Sequence, residues 1–449
     1  MTQLTKNIPR VVIVGGGFGG LNAAKALANS PVKVIIIDRA NYHLFQPLLY
    51  QVATASLSAE QITAPIRGIL NTQKNTEVLM TSVNAVDTNA RIVHTDNGEI
   101  PYDYLILATG ATYSFFGHDE WKKYAHGLKT IEDALEVRSK ILAAYEFAEL
   151  AKTEDEKNAW LTFVIVGGGP TGVEMSGQIA EMAHTTLKRD FKHINPSKTR
   201  VTIVEAGERI LSSFHPSLSE KASKYLKDFG VEILNNTPVI DMDAFGVTLK
   251  DGLRIPSRTV IWAAGNSASP AGNWIGAEMD KAGRVKVTPS LTVPGHDNIY
   301  VIGDTASLAQ DGKQLPGVAQ VAMQMGVYSA RCIRAHVNNQ NPPPPFRYFN
   351  KGDMAAVGRK FAVYDVEKLE TPSGKRITGP IRIAGITAWL MWLTIHITFL
   401  IDYANRIFVL LSWMNSYFTN QRSARLIPSK VKEESLPNQN CSLKTSSDP

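Results

Sequence analysis

Gly15, Gly17 and Gly20 form a GxGxxG loop between the apolar run Val11 to Val14 and a helix-like stretch, Leu21 to Ala28. In such a loop the first glycine permits the tight turn, and the second lets the backbone approach a pyrophosphate. The third lets helix and strand pack closely. The anion would lie on the helix N-terminus, where unpaired N–H groups and the dipole favour negative charge. Asp38 closes the next strand, where a carboxylate can accept from a ribose 2′-hydroxyl. The same order recurs from Leu161 to Glu205: strand, then Gly167, Gly169 and Gly172, then helix, strand and acid. Two such loops imply two dinucleotides, a flavin held permanently by one and a nicotinamide exchanging at the other. Glu205 repels a 2′-phosphate and so favours NADH over NADPH, a preference that Arg209, four residues on, could soften.

The elements that must carry these loops are legible around them. Val11 to Val14 and Val34 to Ile37 are unbroken apolar runs rich in β-branched residues, the pattern of a parallel sheet buried on both faces. Leu105 to Gly110 (LILATG), Thr259 to Gly265 (TVIWAAG) and Asn298 to Asp304 (NIYVIGD) read as further strands ending in small-residue turns. The expected fold class is α/β, with two Rossmann-like dinucleotide-binding domains, the second inserted in the first. The divisions are residues 1–117 and 268–345 for the first, outer domain and 118–267 for the inserted one. Pro342 to Pro345 is a stiff boundary, 346–428 a C-terminal membrane-anchoring region, and 429–449 a polar, disordered tail.

Composition narrows the classes. A chain of 449 residues needs more than one core, and 44% hydrophobic with 20% charged residues is globular. The net charge of +6 allows nucleic acid, an anionic membrane or acidic ligands. Nucleic acid is disfavoured, because the basic residues gather around an apolar segment and form no aromatic-interleaved groove. Cys332 and Cys441 are the only cysteines and sit in no CxxC or metal-spaced cluster, which argues against a disulfide scaffold, a dithiol centre and any metal site. The polar start, Met1 to Arg10, holds no signal-peptide core, so residence on the cytoplasmic side is expected.

The stretch Ile383 to Ile401 lacks Asp, Glu, Lys and Arg and would form ~28 Å of helix, close to a bilayer core. Thr387, Met391, Thr394, Thr398 and Asp402, however, make a mostly polar helical stripe, and the second apolar piece, Ile407 to Met414, is too short to cross. Trp389, Trp392, Tyr403, Trp413 and Tyr417 suit a headgroup belt. Lys375, Arg376, Arg382, Arg422, Arg425, Lys430 and Lys432 flank the segment and would attract anionic lipid. An interfacial anchor over 383–414 fits best, peripheral and monotopic, on the cytoplasmic side. A homodimer interface or a core cover is the other reading, and both roles are compatible. Deletion after about Pro380 is expected to release the chain from membranes with its NADH-to-dye activity intact.

Taken together, these residues resemble the two-dinucleotide-binding flavoproteins, and specifically the type II NADH:quinone oxidoreductases. The superfamily is suggested by Ala108-Thr109-Gly110 and by Gly303-Asp304, whose aspartate would bind the flavin's ribitol. The narrower family is suggested by NYHLFQPLLY (Asn41 to Tyr50), SFFGHDEW (Ser114 to Trp121) and AQVAMQ from Ala319 to Gln324, which is similar to the AQxAxQ quinone-site motif. The similarity runs from Arg10 to about Ile427. Gln320 and Gln324 are i,i+4 on a helix, so their amides share a face from which they could donate to a quinone carbonyl. By resemblance Glu174 lies near the flavin and assists proton delivery or substrate orientation; as a bare feature it is equally an acid in a helix's first turn.

The resemblance implies tightly bound FAD, NADH as substrate, a membrane quinone as acceptor and no proton pumping. Flavin chemistry of this kind needs no protein nucleophile, and none stands out. His43 and His396 read better as structural histidines than as proton carriers. A sulfide:quinone oxidoreductase or a glutathione-type reductase would need a cysteine pair that this sequence lacks. A ferredoxin or rubredoxin reductase stays open on fold alone, as does a flavin-bearing redox sensor.

Overall fold

The computed structural model describes residues 8–370 and 376–427. The first sheet has the strand order Thr292–Val293, His296–Val301, Tyr104–Leu107, Arg10–Val14, Lys33–Asp38 and Thr76–Met80. Its pairings are parallel except at the Thr292–Val293 edge. Val12 lies between Ile35 and Leu105 in register, and Val11 to Ile13 are fully buried. That double-sided burial is why the runs are apolar without alternation.

A second parallel sheet repeats the plan, in the order Ala125–His126, Thr259–Trp262, Thr162–Val166, Arg200–Val204 and Val231–Leu234. Its central strand is buried throughout. The chain crosses between the sheets twice, and the crossings pair with each other as antiparallel strands, Ala111–Tyr113 against Asn266–Ala268. Phe115 and Trp121 of the SFFGHDEW segment pack on Trp262, whose indole Nε1 donates to Ser114 O.

Three helices bring the outlying motifs to these sheets. The helix Phe18–Ala26 leaves the first loop, and Ala319–Val337 packs across it. A Cβ on Gly326 would lie 2.2 Å from Gly19 O, so the two helices touch through bare backbone. The helix Pro170–Glu181 leaves the second loop and crosses an antiparallel sheet of Asp353–Gly358, Phe361–Val366 and Ile381–Gly385. There a Cβ on Gly177 would meet Val357 O at 2.6 Å.

The C-terminal region differs from its sequence expectation at its start and in its packing. Residues 381–385 form a strand, and two helices follow, Ile386–Phe399 and Tyr403–Thr419, separated at Asp402 with φ +77°. Among the described residues no helix is long and apolar enough to cross a membrane. The pair is also part of the core, for Ala388, Trp392, Leu400 and Val409 are buried. Cutting at Pro380 would remove the edge strand paired to Phe361–Val366 and these side chains, so the deletion would expose core and would not trim an appendage.

The dinucleotide loops and the polar junction beside them

Both loops have the geometry their glycines demand. Gly15 has φ +105°, and a Cβ there would sit 2.3 Å from Ala108 O; on Gly20 it would lie 1.8 Å from Gly15 O. The corresponding contacts of the second loop are 2.8 Å from Gly167 to Ala264 N and 1.9 Å from Gly172 to Gly167 O. By contrast, space beside Gly17 and Gly169 is open, the approach side a pyrophosphate needs. Asp38 Oδ2 accepts from Gly16 N at 2.5 Å and Oδ1 from Ala40 N at 2.8 Å. Glu205 repeats this latch, with Gly168 N at 2.6 Å and Gly207 N at 2.6 Å. Each acid thus orders its own loop, and burial pushes the Asp38 carboxyl up from its ordinary range. The Arg209 guanidinium donates to Ser212 O and Phe214 O, so it is engaged away from Glu205.

Around the first loop the later motifs converge. Thr109 Oγ1 lies 2.5 Å from Ser269 Oγ and 3.2 Å from Thr305 Oγ1, which donates to Gly110 O. Gly303 takes φ +67°, with the position of a Cβ 3.1 Å from Ala322 Cβ. The Asp304 carboxylate has no hydrogen-bond partner among the described residues; burial raises its pKa, opposed by the charges of Lys129 and Arg284. Lys129 went unremarked in the sequence. Its half-buried ammonium is held below its ordinary pKa by desolvation, and Asp304 is the charge that counters this. Only the fold brings residue 129 to residue 304, although the Leu-Lys-Thr turn before a helix was a place to look.

The glutamine helix meets a strap formed by residues 346–352. Gln324 Nε2 donates to Phe349 O at 2.9 Å and its Oε1 accepts from Phe349 N at 3.0 Å. Gln320 Nε2 donates to Gly352 O at 2.8 Å, and its Oε1 accepts from Lys351 N at 3.3 Å. The shared face is therefore real, but the amides are bound to backbone rather than waiting for a carbonyl. An amide has two N–H bonds, so each glutamine keeps one beyond the strap contact. Ala319 is the first residue of this helix, against the first loop's helix.

Glu174 is the fifth residue of its helix, past the first turn, so the helix-dipole reading weakens. Its Oε1 accepts from Ala356 N at 3.3 Å, and burial raises its pKa to about 8. Tyr50 is buried nearby, its phenol pushed well above the ordinary value by burial and by the charge of Glu174. His43 Nδ1 lies 2.9 Å from Gly16 O and His396 Nδ1 2.6 Å from Trp392 O, both structural contacts. Burial keeps both rings below the ordinary histidine pKa, His396 at about 4.

The C-terminal pair presents a broad apolar surface, including Ile386, Leu390, Phe399, Phe408, Leu411, Met414 and Phe418. Two members of its threonine stripe turn their hydroxyls onto the helix itself, Thr394 Oγ1 donating to Leu390 O and Thr398 Oγ1 to Thr394 O. Trp392 is 3% exposed and belongs to the core, not to a headgroup belt. Arg422 and Arg425 are not free for lipid either. Arg422 is 4% exposed and Arg425 pairs with Asp190.

A parallel-sheet dinucleotide fold built twice, with a shared crossing and an acid latch in each loop, defines the two-dinucleotide flavoprotein class. The model of the pyridine nucleotide-disulphide oxidoreductase family matches residues 9–326. Within that class the chain belongs to the type II NADH:quinone oxidoreductases. It is 44% and 42% identical to two such enzymes of Mycobacterium tuberculosis, over 94% and 92% of this chain and 90% and 89% of theirs. An internal alternative NAD(P)H-ubiquinone oxidoreductase of Solanum tuberosum is 29% identical over 93% of this chain and 88% of its own. Among solved structures, NDH2 from Plasmodium falciparum in complex with NADH superposes with a TM-score of 0.82 at 21% identity, over 94% of this chain and 100% of that one. The sulfide:quinone oxidoreductase of Aquifex aeolicus reaches 0.70 at 20% identity, over 89% and 91%. Here Cys332 is buried and is the only free cysteine among the described residues.

Proposed function

We infer that this chain is an FAD-dependent enzyme that oxidises NADH and reduces a quinone by two electrons, without proton pumping. The observation that carries this reading is the duplicated loop with its acid latch, joined at one junction by Glu174, Tyr50 and the glutamine-held strap. The residues fit the flavin nucleotide: the open side of Gly17 admits a pyrophosphate, and the unpartnered Asp304 carboxylate suits ribitol hydroxyls. Gly15, Gly17, Gly20, Asp38, Thr109, Gly110, Gly303, Asp304 and Ala319 would hold it, with Lys129 adding a cation beside Asp304. When bound, FAD supplies the two-electron relay between hydride donor and quinone.

The chain's own residues do the rest. Gly167, Gly169 and Gly172 seat the pyrophosphate of NADH on a helix N-terminus. Glu205, free of Arg209, holds the ribose hydroxyls and disfavours a 2′-phosphate. Glu174, protonated below about pH 8, keeps a proton in a buried place where quinone reduction consumes protons. Gln320 and Gln324 fix the strap and retain one N–H each for a carbonyl acceptor. The apolar face of the C-terminal helices lies in the plane of a lipid surface, peripheral to it, and brings the site to a lipid-soluble acceptor. The domain divisions stay as drawn from the sequence, at 117, 267 and 345, and the cytoplasmic side is the proposed side of attachment.

The test is steady-state oxidation of NADH and NADPH by the FAD-loaded protein in lipid, with and without a short-chain quinone. Turnover that needs quinone and prefers NADH supports the reading. Flavin reduction by NADH with no response to quinone would replace the acceptor by a soluble carrier protein.

A further inference from the structure

Beyond Trp413 the chain does not simply leave the apolar helices. Asn420 adopts φ +60° and turns the backbone inward, and the next residues enter the protein between two elements remote in sequence. Thr186 Oγ1, in a single π turn over Met182–Thr186, donates to Asn420 O at 3.0 Å. Arg359 ties the same place, with Nη1 to Asn420 Oδ1 at 2.5 Å, Nη2 to Ser416 O at 2.9 Å and Nε to Glu181 Oε1 at 2.7 Å. Arg422 then goes deepest. Its Nη1 donates to Thr54 O at 2.7 Å and its Nη2 to Gln178 O at 3.1 Å.

Those two carbonyls matter because of what they adjoin. Thr54 ends the short helix Leu49–Ala53 that carries Tyr50, and its hydroxyl donates to Tyr50 O. Gln178 stands one turn after Glu174 on the second loop's helix. A second route runs from the same C-terminal helix: Trp413 Nε1 donates to Gln51 Oε1 at 2.7 Å, and Gln51 Nε2 donates to the Tyr50 hydroxyl at 3.1 Å. Burying a guanidinium is costly, and here Glu181 partly offsets two of them, Arg359 and Arg422. A methionine would fill the space at lower desolvation cost. Only a guanidinium offers a rigid fork to two carbonyls on different elements.

We propose that Arg422 is a positioning residue for the quinone half-reaction, locking the Tyr50 helix to the Glu174 helix and making their spacing depend on the seating of the C-terminal helices. The proposal rests on the reading of Glu174 as the proton-holding group above. The ionisable groups facing Arg422 are Glu181, Arg359, Tyr145 and Tyr50.

The experiment uses the full-length, FAD-loaded protein in vesicles and follows the two half-reactions separately by rapid mixing. In R422M, flavin reduction by NADH should stay within about twofold, while reoxidation by a short-chain quinone should slow about tenfold or more, since small displacements of reacting groups are that costly. Water entering the loosened junction should move the alkaline limb of reoxidation, near pH 8, toward acid. R422K keeps the charge but not the fork and should fall between the two. R425A, which loses a surface pair with Asp190 and a bond to Gln421 Oε1, should match the parent. If R422M fails to retain FAD, R422K decides. Normal reoxidation with an unmoved pH limb in R422K, or in a folded R422M, overturns the proposal, as do equal losses in both half-reactions. E174Q separates the two claims: normal reoxidation there defeats the Glu174 reading, whatever the Arg422 variants do.

Discussion

Replacing Phe408 and Leu411 together by serine should loosen membrane binding without harming the fold. The two residues are three apart on one helix and therefore share a face, and they are 56% and 54% exposed. Full burial of such side chains is worth about 1.5–3 kcal/mol. With roughly half of each still to bury, each should contribute about 1 kcal/mol on entering lipid, and the pair about 2 kcal/mol. At about 1.4 kcal/mol per factor of ten, the partition coefficient should drop about 30-fold. Sedimentation with partly anionic vesicles over a lipid titration measures this, with FAD absorbance and reduction of a soluble dye as checks of integrity. A double variant that partitions within about threefold of the parent would refute the assignment of this face. Trp392→Ala is the contrasting perturbation on the neighbouring helix. Its ring is buried 4.1 Å from the His396 ring and 5.6 Å from that of Trp413, so about 3–5 kcal/mol of stability should be lost, visible as a lower melting temperature.

The two loops can be disabled separately. G20A should purify largely without FAD, because its methyl would overlap Gly15 O, whereas G172A should keep FAD yet need at least tenfold more NADH for half-saturation. FAD content and stopped-flow flavin reduction read the two effects. E205Q should raise NADPH use relative to NADH by about tenfold in kcat/KM; an unchanged ratio would remove Glu205 from coenzyme choice. Quinone-dependent turnover should decline above about pH 8 as Glu174 loses its proton, and E174Q should be slower with that limb gone. The same raised pKa means that the folded state binds a proton more tightly than the unfolded one, so stability should fall as pH rises from about 4.5 through about 8. A melting temperature equally pH-dependent in E174Q would contradict this.

How much of this could be read in the chain depends on how local each feature is. The loops were legible because glycine spacing, strand and acid lie within one structural unit, and backbone sterics at Gly15 and Gly20 leave no substitute. The C-terminal helices were legible as apolar, with a core cover as the second reading, but not residue by residue, since which face of Trp392 meets protein depends on the partner packed there. The threonine stripe is less polar than it reads: Thr394 and Thr398 count as polar in sequence, yet a helix supplies carbonyls that absorb their hydroxyls. Arg422 looked like a lipid-facing cation because flanking charge was all that sequence offered; its carbonyl partners lie 368 and 244 residues away. Gln320 and Gln324 shared the expected face, while the strap that occupies them enters from beyond the proline run.

The grip of the two glutamines on that strap uses neutral groups alone. A primary amide facing a peptide group matches donor to acceptor with no net charge, so the clamp does not titrate, draws no counterion and gains nothing from a change in nearby potential. On the proposed reading, electrons and protons arrive and leave beside it in each cycle, and Glu174 changes its charge near pH 8. A carboxylate in place of Gln324 would tighten or release the strap with every such event. With the amides, this clamp on the proposed site would hold one shape while the charge beside it varies.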